Sequence, residues 1–90
     1  MSDYSIGVIG DEETIKGLKI GGVEDKGQNI IKVTEEDSKK HISTQFYSLI
    51  NNKSVVMIFI SEFAADKIKN EIDDYDRFIP SILKIPSRKL

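Results

Sequence analysis

Val55-Val56-Met57-Ile58-Phe59-Ile60 is the longest uninterrupted apolar run in the chain. Val55, Val56, Ile58 and Ile60 are β-branched, so the run reads as a strand. It is apolar at odd and even positions alike. Such a strand belongs in the middle of a sheet, with helices over both faces. Six residues fall far short of the roughly 20 needed to span a bilayer.

The flanking segments alternate in type. Tyr4-Ser5-Ile6-Gly7-Val8-Ile9 reads as a short buried strand that ends at Gly10. Asp11-Glu12-Glu13 then places three acids where a helix starts, at the positive end of its dipole. Ile15 and Leu18 carry the helical spacing, and Gly21-Gly22 supplies the stop. Asn29 to Val33 reads as a second strand. Thr34-Glu35-Glu36-Asp37 resembles a capping box, with Asp in place of Glu. The helix behind it has Ile42, Phe46, Leu49 and Ile50 on one face, and Asn51-Asn52 ends it. Past the apolar run, Ser61 is a plausible N-cap. Ala64, Ile68 and Ile72 mark the stripe of a third helix. Asp73 to Arg77 is a polar loop, and Ile82-Leu83-Lys84-Ile85, between Pro80 and Pro86, is a last short strand.

Strands alternating with helices imply βαβ units and a parallel sheet. The expectation is one domain over residues 1–90: an α/β fold with four parallel strands in the order 2-1-3-4 and three helices on its two faces, as in flavodoxin-like and Rossmann-like arrangements. Strands 2 and 4 are then edges, and each carries a lysine, Lys32 or Lys84, a common guard against edge pairing.

Composition narrows the function. The chain has 90 residues and a formal net charge of −2. Neither half carries the strong positive bias of a nucleic-acid binder. There is no cysteine, hence no disulfide frame and no thiolate chemistry. Met1-Ser2-Asp3-Tyr4 lacks the basic start and apolar stretch of a secretory signal. These features agree with a cytosolic location.

The usual chemistries of such a fold find few of their parts. A nucleotide site calls for G-x-G-x-x-G or a phosphate loop after the first strand; the chain has Gly7-Val8-Ile9-Gly10-Asp11-Glu12-Glu13 instead. Acids at that helix start repel phosphate. A phosphoacceptor receiver domain needs an acid pair after the first strand, which Asp11 and Glu12 imitate. It also needs an aspartate at the end of the third strand, where Ile60-Ser61 stands, and a lysine after a fifth strand. His41 is the sole histidine, and no cysteine accompanies it for zinc. Glu71, Asp73, Asp74 and Asp76 hint at calcium. Counted from Asp73, however, the loop has Phe78 where glycine is required and Lys84 where glutamate is. No catalytic, cofactor-binding or metal-ligating residue is assigned, and no cofactor is expected.

Taken together the segments resemble the F subunit of V-type proton-pumping ATPases. Ile6-Gly7-Val8-Ile9-Gly10-Asp11-Glu12-Glu13-Thr14 is similar to that family's opening G-V-I-G-D-E-D-T. Gly17 to Val23 looks like its G-F-L-L-A-G-I. Ala64 and Lys67-Ile68 fall where it has I-A-x-x-I-R. Ile79-Pro80-Ser81-Ile82-Leu83-Lys84-Ile85-Pro86-Ser87-Arg88 is close to I-P-A-V-L-E-I-P-S-K, an ending like that of the eukaryotic branch. The likeness covers nearly the whole chain. Two departures stand out: the stretch from Gly22 to Asn29 is short, and the family's C-terminal tail helix is missing after Leu90.

The resemblance implies a non-catalytic member of the central rotor stalk. It would bind the coiled-coil D subunit and other V1 subunits, and help couple ATP hydrolysis to proton transport. It would sit on the cytosolic face of vacuolar or other acidic endomembranes within the V1 sector, with neither membrane insertion nor nucleic acid as partner. The exposed part of the last strand and its exit form the candidate contact: Phe78, Ile79, Ile85, Pro86, Ser87 and Arg88. Ile79 and Ile85 are equally readable as core. The alternatives are a receiver-like regulatory or binding domain without its phosphoacceptor site, and a minor small-molecule binder.

Overall fold

The computed structural model describes residues 4–86. The four strands are β1 (Ser5–Gly10), β2 (Ile30–Lys32), β3 (Val55–Ser61) and β4 (Ser81–Ile85); the helices are α1 (Glu12–Ile20), α2 (Lys39–Ile50), α3 (Glu62–Lys67) and α4 (Lys69–Asp73). All neighbouring strands pair in parallel, in the order β2-β1-β3-β4. The sheet and its strand order match expectation. Lys32 and Lys84 lie exposed on the two edges.

Register assigns the faces. Val8 stands opposite Ile30 and Phe59, and Phe59 opposite Leu83. Ile9 stands opposite Ile31 and Ile60. Side chains alternate along a strand, so Ile9, Ile58, Ile60 and Ile82 share one face and Val8, Met57, Phe59, Leu83 and Ile85 share the other. The first face holds the main core. There Ile42, Phe46, Leu49 and Ile50 of α2 pack with Ala64, Ala65 and Ile68 against the sheet. Gly7 belongs to this face: a Cβ there would come within 3.0 Å of Leu49 Cδ1. The second face carries α1, which lies over β1 and β2 and has no fully buried residue.

Element ends follow local chemistry. At the end of α1 Val23 N–H donates to the Leu18 carbonyl and Gly22 N–H to that of Lys19. This is the Schellman pattern. Gly22 has φ +113°, where only glycine sits without strain. The short connection to β2 is tied down by Asn29, 2% exposed. Its amide nitrogen donates to the carbonyls of Ile6 and Glu24, and its amide oxygen accepts from Lys26 N–H. Together these contacts satisfy a buried amide.

Three local expectations are corrected. The Thr34–Asp37 box forms, with Thr34 N–H donating to Asp37 Oδ2 at 2.7 Å, but it closes a single turn. The helix starts later, capped by Ser38, whose Oγ accepts from His41 N–H at 3.1 Å. Ser61 occupies the N-cap position of α3 without a side-chain capping bond, because its hydroxyl is committed elsewhere. The single third helix is two short ones, broken at Ile68 (φ −117°, ψ 37°). Ile68 is fully buried, and the break leaves its side chain in the core.

Candidate functional site

At the carboxyl ends of β1 and β3, where ligands of open α/β sheets bind, three polar side chains meet. Thr14 Oγ1 donates to Asp11 Oδ1 at 2.6 Å, and Ser61 Oγ donates to the same oxygen at 3.2 Å. Gly10 makes room for this, since a Cβ there would fall well inside contact distance of Ser61 Oγ. Partial burial opposes ionisation of Asp11. The hydrogen bonds from Thr14, its own backbone N–H and Ser61 outweigh that, holding its carboxyl below the usual carboxylate range. Asp11 therefore locks the start of α1 to the end of β3. Glu12, which would complete an acid pair with it, turns instead to Lys32 at 3.5 Å.

The other acidic candidates are dispersed. Asp73 pairs with Lys69 at 3.1 Å, and Glu71 accepts from Ser43 at 3.1 Å. Among the described residues no three His, Cys, Asp or Glu side chains gather in a group able to hold a metal ion. His41 is exposed in the first turn of α2.

The residues expected to touch a partner separate into two places. Phe78 and Ile79 lie in the loop entering β4, 95% and 65% exposed. That loop is pinned on either side. The Arg77 guanidinium donates to the Ile50 carbonyl at 3.1 Å, and the Tyr75 hydroxyl donates to the Pro80 carbonyl. Tyr75 also meets Phe46 edge to face at 6.1 Å. Burial raises the Tyr75 phenol pKa. Ile79 is thus surface rather than core. Ile85 and Pro86 stand at the far end of β4, a five-residue strand about 13 Å long. Ile85 is half-buried. It lines, with Pro86, Leu18, Gly17 and Asp11, a groove of about 560 Å³ between α1 and the end of β4. Ser87 and Arg88 lie outside the described residues.

Sequence reasoning misses the middle of this surface. Leu83 is 46% exposed, and Met57 and Phe59 of the central strand are only half-buried. A strand apolar on both sides is expected to be helix-covered on both. The signal that could have found the gap is a count of rods. Three helical segments of sequence cannot roof both faces of four strands, and two of them go to the other face.

The profile described as ATP synthase (F/14-kDa) subunit matches residues 6–90. Among curated proteins, the V-type proton ATPase F subunit of Dictyostelium discoideum is 36% identical over 92% of this chain and 72% of its own length. One from Xenopus laevis is 35% identical, covering 91% and 78%. The human protein of that name is 28% identical, covering 93% and 74%.

Proposed function

This chain belongs to the family of ATP synthase (F/14-kDa) subunits, and from that membership and its V-type F-subunit relatives we propose that it is a non-catalytic central-stalk component of a V-type proton-transporting ATPase. Its task is to bind the coiled-coil D subunit within the V1 sector and help couple ATP hydrolysis to proton transport, on the cytosolic side of an acidic membrane compartment. The single observation that carries this reading is the match over residues 6–90.

The site supports a binding role. The one acid at the ligand-binding end of the sheet that is partly buried is spent on Thr14 and Ser61. Its neighbours Glu12 and Glu13 put negative charge at the helix start, where a phosphate would need the opposite. Exposed apolar side chains lie instead along β4 and the loop before it, as in a surface that meets another protein. No described helix is long and apolar enough to cross a membrane. The test is purification of the tagged full chain from its source cells at moderate salt. Co-purification of the V-type A, B and D subunits in constant ratio is expected. A chain recovered without any of them would overturn the reading.

A further inference from the structure

Among the described residues, two helical rods, α2 and the α3–α4 pair, cover one face of the sheet, while α1 alone covers part of the other. Four strands, each about 4.8 Å wide, make a face about 19 Å across, and a helix with its side chains is about 10 Å wide. One rod therefore roofs about half of a face. α1 sits over β1 and β2, and the half over β3 and β4 is left with Phe59 half-buried, Leu83 beside it in register and Ile85 two residues further along β4, opposite Ser61. The uncovered half has the width of one further helix.

The wall beside this half-face is unusual. Gly17 lies in the middle of α1, where glycine weakens a helix relative to alanine. Neither packing nor backbone geometry among the described residues requires it. A Cβ there would meet no described atom within 4 Å, and its φ is not positive. Gly17 nonetheless lines the groove. Its neighbours on the same side of α1, at helical spacing, are Glu13, four residues before, and Ile20, three residues after. Glu13 lines the groove too, and Ile20 is 85% exposed. The wall thus reads acid, gap, apolar. Asp11 adds a second carboxylate at the acidic end, and among the described residues no lysine or arginine lines the groove.

We propose that the half-face over β3 and β4 seats one amphipathic helix of a partner protein in the stalk. Its apolar stripe meets Phe59, Leu83 and Ile85, its backbone passes close to Gly17, and lysine or arginine stands at the end facing Asp11 and Glu13. The proposal rests on the stalk reading above and adds the surface that the contact uses. The apolar floor selects a stripe at i, i+3, i+4 and i+7. The carboxylates select positive charge and fix the direction of the helix. The missing side chain at residue 17 lets two helices approach more closely than a larger residue would allow.

The test is a calorimetric titration of the full chain with the purified coiled-coil D subunit. Gly17→Gln fills the gap with a better helix former, so its thermal midpoint should not fall. Leu83→Glu places a charge on the half-exposed floor, Glu13→Lys reverses the acidic end, and Lys53→Glu, in the turn before β3, is the control. Expected are losses of about tenfold or more for Gly17→Gln and Leu83→Glu, a smaller loss and weaker salt dependence for Glu13→Lys, and no change for Lys53→Glu. Wild-type binding that Gly17→Gln and Leu83→Glu both retain in full overturns the seat and leaves the stalk reading standing. No binding by the folded wild-type chain overturns both. Self-association of the chain in sedimentation, abolished by Leu83→Glu and indifferent to the D subunit, gives the face to a second copy and overturns the partner helix.

Discussion

Asp11 and Gly10 show how two residues set the ligand-binding end of this sheet. The acid's oxygen is shared by two hydroxyls, and the glycine leaves space for one of them. Gly10→Ala must push Ser61 Oγ away, because the added Cβ would fall far inside contact distance. Overpacking of this kind costs typically about 1–3 kcal/mol. Ser61→Ala removes the obstructing oxygen, so the double variant should regain part of that loss. Urea denaturation of the two single variants and the double closes the cycle. Strictly additive losses would mean that the two side chains do not compete for the same space.

The same acid has a pH signature. Its folded pKa lies below the ordinary value, so folding favours the carboxylate. The stabilisation is complete above the unfolded pKa, about 3.9. It is lost as pH falls through the lower, folded value. Asp11→Asn, measured by denaturation from pH 7 down to pH 3, should show a shallower acid loss of stability than wild type. Identical slopes would contradict the linkage.

At the scale of elements, β3 lies inside the sheet between β1 and β4 and supplies Phe59 to the proposed seat. Ile58 is fully buried against the α2 side. Ile58→Ala should cost about 2–5 kcal/mol. Lys53→Ala, exposed in the preceding turn, should stay within about 0.5 kcal/mol. Equal small losses would remove β3 from the centre. Gly17→Ala in α1 should instead stabilise the chain, by up to about 1 kcal/mol; a fall in its urea midpoint would show that the glycine serves the fold.

Strand type and order are legible in the sequence because short apolar runs punctuated by glycine and proline leave few parallel topologies. The start of α2 is less so. Both Thr34 and Ser38 offer capping oxygens, and the choice of Ser38 depends on tertiary contacts such as Lys67, which donates to the carbonyls of Glu35 and Asp37. The break at Ile68 is hidden for a similar reason. Ala64, Ile68 and Ile72 keep helical spacing, and only packing decides that the rod bends between them.

For the whole molecule, the two faces of the sheet are covered unequally by the described helices. One is closed by its own helices and supplies stability. The other is half roofed by the described helices, and its apolar remainder and acidic margin fit a partner. That β3 is apolar on both sides is plain from its residues. Which side stays uncovered is not, since that depends on crossover geometry and on α1 covering only β1 and β2. The candidate contact along β4 comes from the same motif that carries the resemblance. The structure separates Phe78 and Ile79 at the entrance from Ile85 and Pro86 at the exit, and places Leu83 between them.

The most direct test of the central claim is whether the chain forms a defined complex with the coiled-coil D subunit of the stalk. The two purified proteins, mixed in equal amounts and passed over a sizing column with light-scattering detection, should elute as one species with the mass of a 1:1 complex. Separate elution of two folded proteins at every concentration tried would contradict a stalk role for this chain.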